Sequence, residues 1–300
     1  MSEVVTETNA ASLSIGLPNF GDYLPLSEWH RITEIARAAD EAGVGRLVVV
    51  DHVTMGNDTS GYQWGRFPTG PDAPWLEPLT VLASIAAVTE RVRLATGVLL
   101  AGLRGPTVLA KTAATLDVMS QGRLELGVAT GWQVAEYEAA GLEWTRRGRL
   151  LDDVLDTCRT LWAGDDPDVH CEPRPVQAGG VPWWIAGPLH RRNLHRLVRH
   201  GAGWIPIMGA GIDDVRTGVA AIRQEFEGSD RQWTGLSVQG SLPVVRNASG
   251  APDLDATIDQ SSDWIEAGAT AIHLPMKAFC PDWRDAAEFF NSAVARFEAR

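Results

Sequence analysis

The chain has 300 residues, of which 45% are hydrophobic and 21% charged, and a formal net charge of −12 at pH 7. At roughly 150 residues per domain this is room for about two small domains or one large barrel, and the composition is globular, neither disordered nor collagen-like. An acidic surface repels nucleic acid and anionic lipid, so neither a nucleic-acid nor a membrane partner is expected. Three cysteines, Cys158, Cys171 and Cys280, have no CxxC spacing and carry neither a disulfide framework nor a zinc ribbon. Residues 1–11 are polar and acidic, a flexible N-terminus without the basic start and apolar stretch of a signal peptide, and no run of about 18 apolar residues follows. The expected setting is a reducing cytoplasm.

Residues 13–19 alternate Leu13, Ile15 and Leu17 and then reach Pro18, a strand running into a loop. Trp29, Ile32, Ile35, Ala36 and Ala39 recur at helical spacing, with Ser27 as the expected N-cap and Gly43 as the stop. Residues 46–51, RLVVVD, form a β-branched run of the doubly buried kind found in parallel sheets, which completes a βαβ unit. The alternation continues through strands at 92–98, 123–129, 182–187, 203–208, 236–245 and 270–275. Helices are expected between them at 77–89, 106–119, 134–162, 189–200, 212–226 and 253–267, and a last one at 283–299. Eight strands, each followed by a helix, predict an α/β fold, a closed (β/α)8 TIM barrel with insertion loops. A doubly wound open sheet has the same periodicity. No internal repeat and no low-complexity linker divides the chain, so residues 1–300 read as one domain. Two connections exceed what a barrel needs: residues 54–76, rich in Gly, Pro, Asp and aromatics, and the acidic, Pro-rich 163–181. Loops of that length are lids, binding loops or plain surface excursions.

A barrel of this kind builds its site where the strands end. Those positions are Asp51 and His52 after the second strand, Gly97 and Val98 in the third, Thr130, Gly131 and Trp132 after the fourth, and Ala186, Gly187 and Pro188 after the fifth. His52 can take or give a proton near neutral pH, and Asp51 either orients it or caps a turn. No metal is expected: a metal-dependent barrel hydrolase wants His-x-His on an early strand, whereas His273 lies within the eighth. His190, His195 and His200 are spaced so that each is turned about 500° from the last, a scattered and solvated set, with His190 at the helix start near any ligand. A GxSxG elbow, a P-loop and a cysteine-nucleophile pattern are all missing. Gly127–Gly131 lacks the GxGxxG of a dinucleotide loop, though its glycines let the backbone approach a flat or phosphorylated ligand. Ile185–Pro188, leading into a helix that starts with His190, Arg191 and Arg192, offers free N–H groups and positive charge, either a phosphate cradle or surface charge alone.

One stretch carries more than chemistry by position. Residues 105–132, GPTVLAKTAATLDVMSQGRLELGVATGW, closely resemble the signature of the bacterial luciferase-like flavin and deazaflavin oxidoreductases. Further pieces agree in order: Asp51-His52, Glu77–Thr80 with Arg91–Arg93, Arg146–Arg149 ahead of a long helix, and Val181–Gly187 followed by Gly203-Trp204. The resemblance spans residues 13–276 and implies the same barrel. It also implies a cofactor, FMN or the deazaflavin coenzyme F420, with the chain more similar to the F420 branch. In that branch a non-prolyl cis peptide at the third strand supports one face of the ring, and the matching bond is Gly97–Val98. The resemblance puts Asp51 and His52 beside the ring, Thr130 and Gly131 along it, and the phosphate against Ala186, Gly187, Pro188, His190 and Arg191.

Two positions depart from the branch's sugar-phosphate dehydrogenases. Trp132 replaces their Glu, and Gly187-Pro188 replaces their Gly-Gly turn. Trp132 with Trp64, Phe67 and Trp75 suggests an aromatic-lined substrate pocket in place of a sugar-phosphate site. The resemblance thus implies an F420-dependent oxidoreductase that transfers a hydride between the deazaflavin and a small organic substrate, with His52 as proton donor or acceptor. The alternatives are an FMN-dependent monooxygenase fed by a separate reductase, and a barrel that binds a flavin or deazaflavin without turnover. A homodimer is the assembly the resemblance suggests.

Overall fold

In most strands one set of alternate side chains is apolar and the other smaller, mixed or polar, and this difference helps decide which way each face turns. The computed structural model describes residues 11–164, 168–229, 231 and 235–300, so residues 1–10 of the expected flexible terminus and 165–167 of the second long connection lie outside the described residues. The strands are β1 (Ser12–Gly16), β2 (Arg46–Val49), β3 (Arg93–Leu99), β4 (Leu124–Val128), β5 (Trp183–Ala186), β6 (Gly201–Ile205), β7 (Ser237–Ser241) and β8 (Ala271–Pro275). Each pairs in parallel with the next, and β8 returns to β1 with Ser14 opposite His273, so the sheet is a closed barrel and not an open one.

Leu13, Ile15, Leu47, Val49, Leu94, Leu124, Leu126, Val128 and Ile185 point outward into the core shared with the helices. Each such side chain contributes about 1.5–3 kcal/mol by leaving water. The inward set is smaller and mixed. Trp184, Ile205 and Ala271 form a separate interior cluster, with Val98 and Ala186 packed on it. Beside it Arg46, 2% exposed, holds Glu125 at 2.9 Å and lies 4.0 Å over the Trp184 ring, while Glu125 also pairs with Arg93. Buried charges of this kind are tolerated only when paired.

The helices are α1 (Ile32–Ala42), α2 (Pro78–Ala86), α3 (Pro106–Met119), α4 (Val134–Ala139), α5 (Arg147–Ala163), α6 (Arg191–His200), α7 (Ile212–Glu227), α8 (Leu254–Asp259), α9 (Ser261–Glu266), α10 (Met276–Phe279) and α11 (Ala286–Glu298). α1 stops at Gly43 as expected, with φ 88° in the left-handed region. Its start differs from expectation: Ser27 lies inside a 3-10 turn, Leu26–Arg31, entered from Pro25, and caps nothing. The helix expected at 134–162 is two helices, parted at Gly141 (φ 70°) and a 3-10 turn at Trp144–Arg146; the one expected at 253–267 parts at Gln260. Among the described residues no helix is long and apolar enough to cross a membrane.

The long connection after β2 is tied down at its ends. Asn19 Nδ2 donates to Val50 O (2.8 Å) and Leu76 O (3.0 Å), and Asn19 Oδ1 accepts from Val50 N (3.0 Å). Phe20 and Trp75 form an isolated antiparallel bridge and stack with ring centroids 4.2 Å apart.

Candidate active site

Strands β2 to β5 deliver the expected residues to one end of the barrel, and the structure divides them into three groups. The first is built on His52. Its Nδ1 lies 3.0 Å from Oε2 of Glu136 on α4, and its ring meets Trp75, Phe67 and Trp132 edge to face at centroid distances of 4.7, 5.5 and 5.8 Å. Phe67 in turn packs on Trp132 (5.2 Å) and on Tyr62 (5.1 Å). Trp64 meets this wall through Tyr62, with ring centroids 5.1 Å apart. The Tyr62 hydroxyl donates to Met208 Sδ (3.1 Å) in the loop after β6, so residues 54–76 reach across the end of the barrel.

Asp51 takes the second of its two expected roles. Its carboxylate is closed off by Arg104 Nη1 (2.6 Å), Arg104 Nη2 (3.2 Å) and Leu100 N (2.8 Å), and Arg104 continues to Glu77 at 2.7 Å. Asp51 therefore locks the turn after β3 to the end of β2, and the acid that holds His52 is Glu136.

The second group is bare backbone. The Gly97–Val98 peptide is cis, and the pairing of β3 with β4 shifts register between Thr96 and Leu99. Val98 and Ala186 are both half-buried on the interior cluster. Thr130 and Gly131 follow β4 and are half-buried; Thr130 O accepts from the Tyr137 hydroxyl at 2.8 Å. Burial pushes the Tyr137 phenol up to about 12, so it stays a donor. Gly127 admits a different neighbour from the one expected: a Cβ there would overlap Thr96 O and stand 2.7 Å from Ile205 Cδ1, so its bareness serves the β3 backbone and not a ligand.

The third group is the turn into α6. Gly187 N donates to Ile205 O (2.9 Å), Pro188 O accepts from His190 N (3.0 Å), and Asn193 Nδ2 donates to Ala186 O (3.2 Å) and Pro188 O (3.0 Å). His190 Nδ1 accepts from Asn193 N (3.2 Å), so its ring is the N-cap of α6, while Arg191 is exposed on the first turn. That leaves the amides of Arg191 and Arg192 as the open donors of this helix end. His200 differs from the solvated residue expected: its side chain is 4% exposed, 3.3 Å from Asp156. Among the described residues no three His, Cys, Asp or Glu side chains are grouped as metal ligands.

Sequence reasoning did not single out Glu136, Tyr62, Gln133 or Arg104. Gln133 is buried, accepts from Gly56 N and donates to Met55 Sδ at 3.0 Å, so two residues one helical turn apart, Gln133 and Glu136, hold residues 53–56. The signal available was an amide and an acid three positions apart directly after the Thr-Gly-Trp that follows β4.

Comparison with known proteins bears on this geometry. The family model of the luciferase-like monooxygenases matches residues 11–267. The F420-dependent glucose-6-phosphate dehydrogenase of Nocardia farcinica is 29% identical over 281 residues, covering 84% of this chain and 79% of its own. The oxygenase component of a flavin-dependent trigonelline monooxygenase from Acinetobacter baylyi is 28% identical over 169 residues, covering 53% and 43%. A crystal structure of a monooxygenase from Streptomyces bottropensis superposes with a TM-score of 0.75 at 19% identity, over 96% of this chain and 99% of that one.

Proposed function

The chain belongs to the luciferase-like monooxygenase family, and from that premise we propose that it is a coenzyme F420-dependent oxidoreductase acting on a small organic substrate. The observation that carries this reading is His52, held by Glu136 and enclosed by three aromatic rings at the end of β2. The N. farcinica relative, F420-dependent by name and similar over 84% of this chain, supports the choice of cofactor.

The residues fit a flat heteroaromatic group. Such a group would meet half-buried backbone at Gly97, Val98, Thr130 and Gly131, and Trp75 Nε1 is a buried donor without a partner among the described residues. Gly97, Val98, Thr130 and Gly131 would hold the ring, and the turn Ala186, Gly187, Pro188 and His190 would bring its phosphate to the amides of Arg191 and Arg192, the donors left open there. When bound, the deazaflavin supplies or accepts the hydride. The chain does the rest. Phe67, Trp75 and Trp132 exclude water and offer an apolar wall to the substrate, and His52 gives or takes one proton at Nε2. With Trp132 where related sugar-phosphate dehydrogenases carry Glu, the substrate on this reading is apolar or aromatic. The reading carries a homodimer with it and leaves place for a separate reductase.

Titration of the purified protein with F420 should give a saturable fluorescence change. Tight FMN binding with no response to F420 overturns the proposal in favour of an FMN-dependent monooxygenase, the reading that the flavin-dependent relative supports. His52→Ala should leave cofactor binding intact and lower turnover about 10²–10⁴-fold. Unchanged turnover removes His52 from the mechanism, and cofactor binding without turnover across a broad substrate panel marks a non-catalytic barrel.

A further inference from the structure

We infer that Glu136 is the positioning residue of this site: it fixes the tautomer of His52 with the proton on Nδ1, so that Nε2 is the atom offered to the substrate. The inference rests on the proton-transfer role given to His52 above and adds what sets that ring's chemistry.

The argument is one of donors and acceptors. Glu136 is 2% exposed, and both its oxygens are in use: Oε1 lies 2.8 Å from Val53 N and Oε2 lies 3.0 Å from His52 Nδ1. A backbone N–H can only donate, so Oε1 accepts. An ionised carboxylate has no proton to offer, so Oε2 accepts as well and His52 Nδ1 must donate. With Nδ1 occupied, the one ring nitrogen left for chemistry is Nε2. Asp51, next in sequence to His52, does not compete, because Arg104 and Leu100 N take both of its oxygens. Glu136 is itself held in place. α4 is pinned through the next residue, Tyr137, which is wholly buried and donates to Thr130 O, and through Gln133, which grips Gly56 N and Met55 Sδ. The same turn that ends β4 thus carries the acid that sets the histidine ending β2.

Glu136→Gln separates this role from a purely structural one. The side chain keeps its shape, and Val53 N–H still requires the carbonyl oxygen at Oε1, which turns the amide NH2 toward His52 Nδ1. A donor there forces Nδ1 to accept and moves the proton to Nε2. The readout is the ring 15N spectrum of His52 in histidine-labelled protein without cofactor; with 7 histidines in the chain, loss of one pair of signals in H52Q assigns it. The wild-type ring is expected as the Nδ1–H form and the E136Q ring as the Nε2–H form. E136Q turnover should fall about 10²–10⁴-fold, as when a triad carboxylate is replaced by its amide, with thermal midpoint and cofactor titration near wild type. E136D, which keeps the carboxylate, should keep the wild-type tautomer and recover part of the turnover.

An Nε2–H wild-type ring overturns the inference without need of any variant. So does E136Q that inverts the ring yet turns over normally while H52A does not, and in that case the proposed function stands. If H52A and E136Q both turn over at the wild-type rate, the catalytic role of His52 falls, and the positioning role of Glu136 with it.

Discussion

Asp51 and Glu136 are buried carboxylates near the same strand end, and their partners divide the work between them. A carboxylate closed by a bidentate arginine and a backbone amide is spent on architecture. Asp51→Asn would set an NH2 group against those donors, and it should lower stability by about 1–3 kcal/mol. The check is a urea midpoint beside a cofactor titration: the midpoint should fall while affinity per folded molecule holds, and the reverse pattern would place Asp51 in the cofactor site. The pair Asp51-His52 was legible as a strand end bearing a proton carrier. Glu136 was not, because 84 positions separate it from His52 and a six-residue helix leaves too short a period to mark which residue turns inward.

Among the elements, β4 shows how tightly two strands can be made to share space. Gly127 lies where the register of β3 against β4 shifts, and the Thr96 carbonyl occupies the volume a side chain would need. Gly127→Ala should therefore destabilise the barrel by about 1–3 kcal/mol or more, since both the carbonyl and Ile205 Cδ1 would have to give way. A thermal midpoint within error of wild type would contradict the packing described. The strands were readable because alternation and β-branching survive even in runs of four or five residues, as in RLVV of β2. The helix breaks were harder. Ile258, Ser261 and Trp264 are buried at helical spacing on both sides of Gln260, so the apolar pattern runs on through a break in the backbone. Pro243 ended β7 sooner than its apolar neighbours suggested, since proline has no N–H for the ladder.

At the level of the whole molecule, closure puts charged and titratable groups where water does not compensate them. His200 and His273 are both held at about 4, well below the ordinary 6.5, chiefly by burial; Asp156 opposes this at His200, whereas the Arg46 charge adds to it at His273. The unfolded chain takes up these protons near pH 6.5 and the folded one only near 4. Stability contributed by the neutral rings is therefore complete above pH 6.5, is lost as pH falls from 6.5 to about 4, and levels off below. For His273 the loss should be on the order of 1–2 kcal/mol. Urea midpoints at pH 7 and pH 5 measure it, and His273→Gln should flatten part of the difference; a midpoint indifferent to pH over that window contradicts the burial described. The eight-strand count was legible in the sequence, but closure was not, because it resides in the Ser14–His273 register between the two ends of the chain.

Asn19 gives the molecule a further property. By gripping Val50 and Leu76 at once, it makes everything between them a cassette whose two ends are already stapled to the scaffold. Lengthening such a segment adds little entropic penalty, about 0.6 kcal/mol for each doubling. Mutation can thus retailor the aromatic rim to new cargo while the cylinder beneath keeps its geometry, an evolvable front on a conservative frame.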